Sequence, residues 1–194
     1  MPPPALLLAS TSTYRRELLS RRRLPFEAAA PGVDEAPTPH QTPLEHAQRL
    51  ALEKAAAVAR SRPEATVIGS DQVAVCKGEI LGKPGNLERC REQLHWLSAA
   101  AATFYTAVAV VQATHGQTLQ FVDTTTVYFR ALADAEIERY IAAEQPFDSA
   151  GAFRCEGLGI SLFARIVSED PTALIGLPLI AVARTLRQLG YEVP

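Results

Sequence analysis

The sequence predicts an α/β protein with a mixed, twisted sheet flanked by helices. Three observations predict it. Segments of strand and helix periodicity alternate along the chain, two pairs of strand-like runs are joined closely enough to be hairpins, and no internal repeat or low-complexity linker divides the 194 residues, so a single domain over 1–194 is expected. With 47% hydrophobic and 21% charged residues, such a chain can bury a full core.

Each element has its own local reason. Ala5 to Ala9 is a short apolar run, read as a buried strand; Ser10 to Thr13 form a hydroxyl-rich turn, and a helix follows from about Tyr14 to Ser20. Phe26 to Ala30 reads as a second strand and Pro31 to Gln41 as a polar, proline-rich loop carrying Asp34 and Glu35. Thr42, Pro43 and Glu45 form a capping box with proline at the first helical position, and Leu44, Ala47, Ala51, Ala55 and Val58 keep one apolar face as far as Arg60. Ala65 to Ile68 is expected to be a strand ending in Gly69-Ser70-Asp71, with a hairpin from Val73 to Leu81 that turns at Lys77-Gly78. Asn86 caps a helix reaching about Leu97. Thr103–Ala113 and Leu119–Arg130 form a second, long hairpin around His115-Gly116, and Asp134 caps a helix to Glu144. Ser149 to Val167 reads as short strands broken by Gly151, Gly157 and Gly159, and Pro178 to Leu189 as the last helix, ended by Gly190.

Composition excludes several classes. The net charge is −2 with both signs scattered and no basic tract, which argues against nucleic-acid binding. The start, MPPPALLLAS, lacks the charged flank and length of a signal peptide, and no stretch is long enough to span a bilayer. Three widely separated cysteines suit a reducing compartment, so a cytoplasmic location is expected. His40, His46, His95 and His115 are scattered, without zinc spacing, and are read as surface or packing residues; any metal would be held by carboxylate oxygens, which points to magnesium or manganese.

Several stretches can carry chemistry. In LLLASTSTYRRELL, residues 6–19, two arginines stand in the first turn of a helix, where the backbone dipole is already positive. Taken alone, this is an ordinary hydroxyl cap with solvated arginines. With an anion in front of the turn, free N–H groups and arginine forks would converge on it. Asp71, at the end of a buried strand, sits where α/β sheets open their crevice, and can bind a metal or take a proton, or simply cap a turn. Lys83 in LGKP can reach a phosphate as a point charge or be a surface turn lysine; a Walker A reading is excluded, because Pro84 replaces the required Ser or Thr and the context is a hairpin. In AGAFRCEGLGI, glycines around Glu156 allow close backbone approach or mark bulges. Gly176-Leu177-Pro178 reads as a turn into the final helix.

Together these segments resemble the Maf family of nucleoside triphosphate pyrophosphatases. The matching pieces are LLLASTSTYRRELL, PGVDE at 31–35, Glu53-Lys54, IGSDQV at 68–73, LGKP at 81–84, FDSAGAF at 147–153 and GLPL at 176–179, seven in order along nearly the whole chain. The resemblance implies an inosine-triphosphatase-like fold, cleavage between the α and β phosphates of a nucleoside triphosphate, a divalent metal (Mg or Mn) and commonly a homodimer. It implies that Ser10, Arg15 and Lys83 hold phosphates with Lys54 nearby, that Glu35 and Asp71 bind metal or activate water, and that Asp71 accepts the proton.

Departures at three positions and in one segment point to substrate. In the commonest branch of the family, acting on dTTP and UTP, the positions of Tyr14, Gln72 and Glu156 are usually Arg, Thr and Gln, and TFYT at 103–106 replaces a glycine-and-histidine pattern. The present combination resembles the branch preferring 7-methyl-GTP. Methylation at N7 makes guanine cationic; an aromatic ring such as Tyr14 stacks on a cation, and a carboxylate such as Glu156 accepts from N1–H and the 2-amino group. Tyr14, Gln72 and Glu156 are therefore expected to line one pocket. The other readings are a dTTP/UTP pyrophosphatase and, in a different class, a non-catalytic regulator of cell division.

Overall fold

The computed structural model describes residues 3–193. Seven strands form one mixed sheet in the order β2-β1-β3-β5-β6-β7, with β4 paired to β3 off this path. They are β1 (Leu6–Ala9), β2 (Glu27–Ala29), β3 (Thr66–Cys76), β4 (Glu79–Leu81), β5 (Ala101–Gln112), β6 (Gln117–Phe129) and β7 (Phe163–Val167). Five helices accompany them: α1 (Thr13–Ser20), α2 (Pro43–Ser61), α3 (Leu87–Leu97), α4 (Asp134–Glu144) and α5 (Leu179–Gln188). The expected fold class, a mixed sheet flanked by helices, is the one observed. By its internal packing the chain divides into two compact units, one of residues 3–72, 106–123 and 170–193, the other of 73–105 and 124–169.

In the first unit β1 pairs in parallel with both β2 and β3. All four residues of β1 are buried, which is why its sequence is unbroken LLLA rather than an alternation. Leu6 and Leu8 point with Ile68, Val108 and Val110 into a core closed by Leu18 and Leu19 of α1 and by Leu179, Val182, Ala183 and Leu186 of α5. Burying one Leu or Ile side chain of this set contributes about 1.5–3 kcal/mol. The other sheet face receives α2, which starts as its sequence demands: Thr42 Oγ1 accepts the Glu45 N–H at 3.2 Å and the Glu45 carboxylate accepts the Thr42 N–H at 2.8 Å.

In the second unit β3 and β4 form the expected hairpin, and Lys77 and Gly78 both have positive φ (51° and 85°), as a two-residue type I′ turn requires. Asn86 caps α3 through its side chain, 2.9 Å from the Arg89 N–H. Phe104, Phe129, Phe153 and Phe163 pack edge to face, with ring centroids 5.0–5.5 Å apart, and fill the centre of this unit.

Three expectations are corrected. The strand at Thr66 does not end at Gly69-Ser70-Asp71 but runs on to Cys76, because its later residues pair with β4. The cap of α4 is Ala133 rather than Asp134; the Glu136 carboxylate accepts the Ala133 N–H at 2.9 Å, half of a capping box that needs no hydroxyl. The glycine-rich stretch 149–167 holds one strand, β7, preceded by short 3-10 turns at Ala150–Ala152 and Leu158–Leu162, because Gly151 (φ 76°) folds the backbone where a strand would stay extended.

Candidate active site

The alternation of β3 sorts its Gly69-Ser70-Asp71-Gln72 segment into two jobs. Gly69 and Asp71 face α2. A Cβ at position 69 would collide with the Ala51 carbonyl and lie 2.6 Å from the Ala55 nitrogen, so only glycine lets helix and strand backbones approach this closely. That approach brings Lys54, on the same face of α2 as Ala51 and Ala55, down onto Asp71.

Lys54 Nζ lies 2.6 Å from Asp71 Oδ1 and 2.6 Å from Glu35 Oε1. Lys54 and Asp71 are buried, whereas Glu35 reaches in from the exposed 31–41 loop. The ammonium marks the point on which two carboxylates converge. Hard oxygens in this arrangement fit Mg²⁺ or Mn²⁺, which commonly take one or two carboxylates and complete their shell with phosphate and water oxygens. Among the described residues no group of three or more His, Cys, Asp or Glu is placed to hold a metal.

Ser70 and Gln72 face the other way, toward the 173–176 turn. Ser70 Oγ donates to the Gly176 carbonyl at 3.0 Å, and the Arg15 Nε–H donates to that same carbonyl at 2.9 Å. Gln72 Nε2 contacts Thr106 Oγ1 and the Ala173 and Leu174 carbonyls at 2.9–3.1 Å, which fixes its amide orientation and leaves Oε1 to accept. The start of α1 is built by two hydroxyls: Ser10 Oγ accepts the Ser12 N–H at 3.1 Å and Ser12 Oγ accepts the Arg15 N–H at 3.3 Å. Burial lowers the Arg15 pKa while the negative charges of Asp71 and Glu35 raise it; guanidinium remains charged in either case. Arg16, the second arginine, is exposed. The first unit thus gathers Ser10, Tyr14, Arg15, Glu35, Lys54, Asp71 and Gln72.

Lys83 and Glu156 belong to the second unit. Lys83 is exposed on the loop after β4, near enough to Asp148 to help lower the pKa of that carboxylate, an effect led by the hydrogen bond from Arg154. Glu156 is exposed, and the Cys155 thiol donates to its Oε2 at 3.4 Å.

The model of the family described as Maf-like protein matches residues 5–189. The chain belongs to the Maf family. Its curated relatives include a protein of Bordetella pertussis, 53% identical over 98% of this chain and 94% of the relative, and one of Xanthomonas campestris pv. campestris, 56% identical over 98% and 99%; both carry the name 7-methyl-GTP pyrophosphatase. Among solved structures, the Ham1 protein of Staphylococcus aureus covers 67% of this chain and 72% of its own with a TM-score of 0.46 and 17% identity.

Reading the motifs of this Maf chain in sequence missed the residues that hold the site from behind. Gly176, read as a plain turn, presents the carbonyl shared by Arg15 and Ser70, at a φ of 125°. The turn itself is fastened by Asp170, whose Oδ1 accepts from the Thr172 backbone and hydroxyl (2.9 and 2.6 Å) and whose Oδ2 accepts the Ile180 N–H at 2.6 Å. The signal was present as Asp170-Pro-Thr172 ahead of a helix with no hydroxyl cap of its own.

Proposed function

We propose that this protein is a nucleoside triphosphate pyrophosphatase that hydrolyses 7-methyl-GTP to 7-methyl-GMP and pyrophosphate, clearing a modified nucleotide from the pool. The observation that carries the reading is the Lys54 ammonium between Asp71 and Glu35, in the same unit as the capped, arginine-bearing start of α1. The named activity of relatives above 50% identity over nearly the full chain supports the same substrate.

In this reading the free N–H groups of α1, the Ser10 hydroxyl, Arg15 and Lys83 hold the phosphates. Arg15, anchored through Nε, keeps its two terminal nitrogens for a pair of phosphate oxygens. A divalent metal, Mg²⁺ or Mn²⁺, would be held by Glu35 and Asp71 and would neutralise phosphate charge. Asp71 has Oδ1 engaged by Lys54, which leaves Oδ2 to take a proton from water. The water oxygen joins one phosphoryl group, the α–β anhydride bond breaks, and the bridging oxygen departs with the other product. Lys54 holds the Asp71 carboxylate in orientation and offsets charge as it develops. Glu156 accepts from guanine N1–H and the 2-amino group, Tyr14 stacks on the cationic methylated ring, and Gln72 supplies a further fixed acceptor. A homodimer and a cytoplasmic location accompany the proposal; among the described residues no helix is long and apolar enough to cross a membrane.

The test is a nucleotide panel with pyrophosphate detection, including 7-methyl-GTP, GTP, UTP and dTTP. The expected result is stoichiometric pyrophosphate release with the highest kcat/KM on 7-methyl-GTP. Preference for UTP or dTTP would replace the substrate assignment, and no release from any nucleotide would favour a non-catalytic role in cell division.

A further inference from the structure

Glu156 stands on a short loop that is tied down from behind by residues with no part in the chemistry above. Glu144, the last residue of α4, has a side chain only 15% exposed. Its Oε2 accepts the Leu158 N–H at 2.8 Å, and its Oε1 lies 3.6 Å from Arg154 Nη1. One turn earlier on α4, the Tyr140 hydroxyl accepts the Arg154 N–H at 3.1 Å. The Arg154 carbonyl then accepts the N–H groups of Gly157 at 3.2 Å and Gly159 at 3.0 Å. Residues 154–159 are thereby folded into a closed knob whose two ends are both bonded to α4, with Glu156 at the exposed tip.

Both glycines are closely packed in this knob. A Cβ at position 157 would sit 2.7 Å from Glu144 Oε2, and one at 159 would strike the backbone of Arg154. Arg154 has other acceptors, the Glu144 carbonyl at 3.1 Å and Asp148 Oδ1 at 2.6 Å, so it does not depend on the Glu144 carboxylate. The Leu158 N–H does depend on it. A carboxylate on a loose loop would have to be ordered each time a ligand arrived, whereas one on a pre-folded knob loses little on binding.

We propose that Glu144 is a positioning residue for substrate selection: without touching the nucleotide, it sets the pose of Glu156 and so the preference for a guanine base over a pyrimidine. This rests on the reading of Glu156 as the base acceptor. The same knob explains why Gly157 and Gly159 stand close together without belonging to a strand.

The experiment measures kcat/KM for 7-methyl-GTP and for UTP in wild type, Glu144→Ala, Glu144→Gln, Gly157→Ala, the double variant Glu144→Ala/Gly157→Ala, and Glu156→Gln. Loss of one charged hydrogen bond that orients the loop should lower the 7-methyl-GTP to UTP ratio about tenfold in Glu144→Ala, with UTP efficiency changed less than about threefold. A simple loss of folded protein lowers both substrates alike and leaves the ratio still. Glu144→Gln keeps an acceptor for Leu158 and should retain most of the ratio. Gly157→Ala should lower the ratio too, but add less than about twofold when Glu144 is already alanine, because the carboxylate it collides with is gone. Should Glu156→Gln lower the ratio while Glu144→Ala and Gly157→Ala leave it unchanged, the positioning role is overturned and the Glu156 assignment stands. An unchanged ratio in Glu156→Gln itself removes the base assignment, and the role of Glu144 with it.

Discussion

Lys54 and Asp71 form a buried ion pair, Nζ to Oδ1 2.6 Å, with side chains 6% and 10% exposed, while Glu35, on the same ammonium, is 64% exposed. The two carboxylates are therefore unequal. Asp71 is fixed in the sheet and largely buried; Glu35 approaches on an exposed loop. In the proposed mechanism this asymmetry gives Asp71 the fixed chemical role and would let Glu35 join it on a phosphate-bound metal.

Asp71→Asn keeps shape but loses the charge and the proton acceptor. Its expected effect on kcat is a loss of about 10²–10⁴, the range for a removed general base. The accompanying loss of stability should be smaller than the roughly 3–5 kcal/mol for breaking a buried pair, because Glu35 still compensates Lys54. Steady-state pyrophosphate release and urea denaturation measure the two. Turnover within threefold of wild type would remove Asp71 from the mechanism.

Arg15 and Arg16 should behave very differently. Arg15 is anchored to the Gly176 carbonyl at 2.9 Å, and Arg16 is exposed. Arg15→Ala should cost about tenfold or more in kcat/KM, the equivalent of a charged hydrogen bond worth roughly 1.5–3 kcal/mol. Arg15→Lys should rescue little, since lysine offers neither Nε nor a fork. Arg16→Ala should change kcat/KM less than about twofold. The reverse order would place the wrong arginine on the substrate.

Gly69→Ala tests the contact that assembles the site. The added Cβ would fall 2.6 Å from the Ala55 nitrogen, against backbone that cannot rotate away. Overpacking of this kind costs about 1–3 kcal/mol, and the only relief is to lift α2 from β3, which carries Lys54 away from Asp71. Both Tm and kcat should fall. A variant with normal kcat and a lowered Tm would show that the pair tolerates the displacement.

How much of this was legible in sequence depended on how local each cause was. The α2 cap, the Asn86 cap and the Lys77-Gly78 turn are decided by neighbours in the chain, and each was found as expected. Ser10, Arg15, Glu35, Lys54, Asp71, Lys83 and Glu156 entered through motifs rather than periodicity, and what periodicity could not supply was their partners. Gly69 looked like the end of a strand because glycine usually interrupts one; here it is the point where a helix backbone passes, a contact made across 14 residues of sequence from Ala55. Gly176 entered only as part of a motif and a turn, and Glu144 had no signal of its own, since a carbonyl and a helix-terminal glutamate take meaning only from Arg15 and Leu158.

The cysteines give a pH prediction. Burial raises the thiol pKa of all three above the usual value of 9.0, Cys90 to about 11 and Cys155 to about 12, the last helped by the charge of Glu156. In the folded protein these thiols stay protonated where the unfolded chain begins to ionise. The unfolded state then binds fewer protons than the native one, so the stability contribution is complete below pH 9 and is lost as pH rises toward 11–12. Each such thiol can lower stability by up to about 1.4 kcal/mol per pH unit within that window. Urea midpoints should be flat in this respect from pH 7 to 9 and then fall, and replacing Cys155 with serine should reduce the slope. Alkylation by iodoacetamide gives an independent measure: at pH 8 the native protein should label far more slowly than the urea-unfolded chain, with Cys155, the one cysteine that is not fully buried, labelling first. Rapid modification of native Cys155 at pH 8 would mean that its thiolate is accessible and that the thiol does not rest on Glu156.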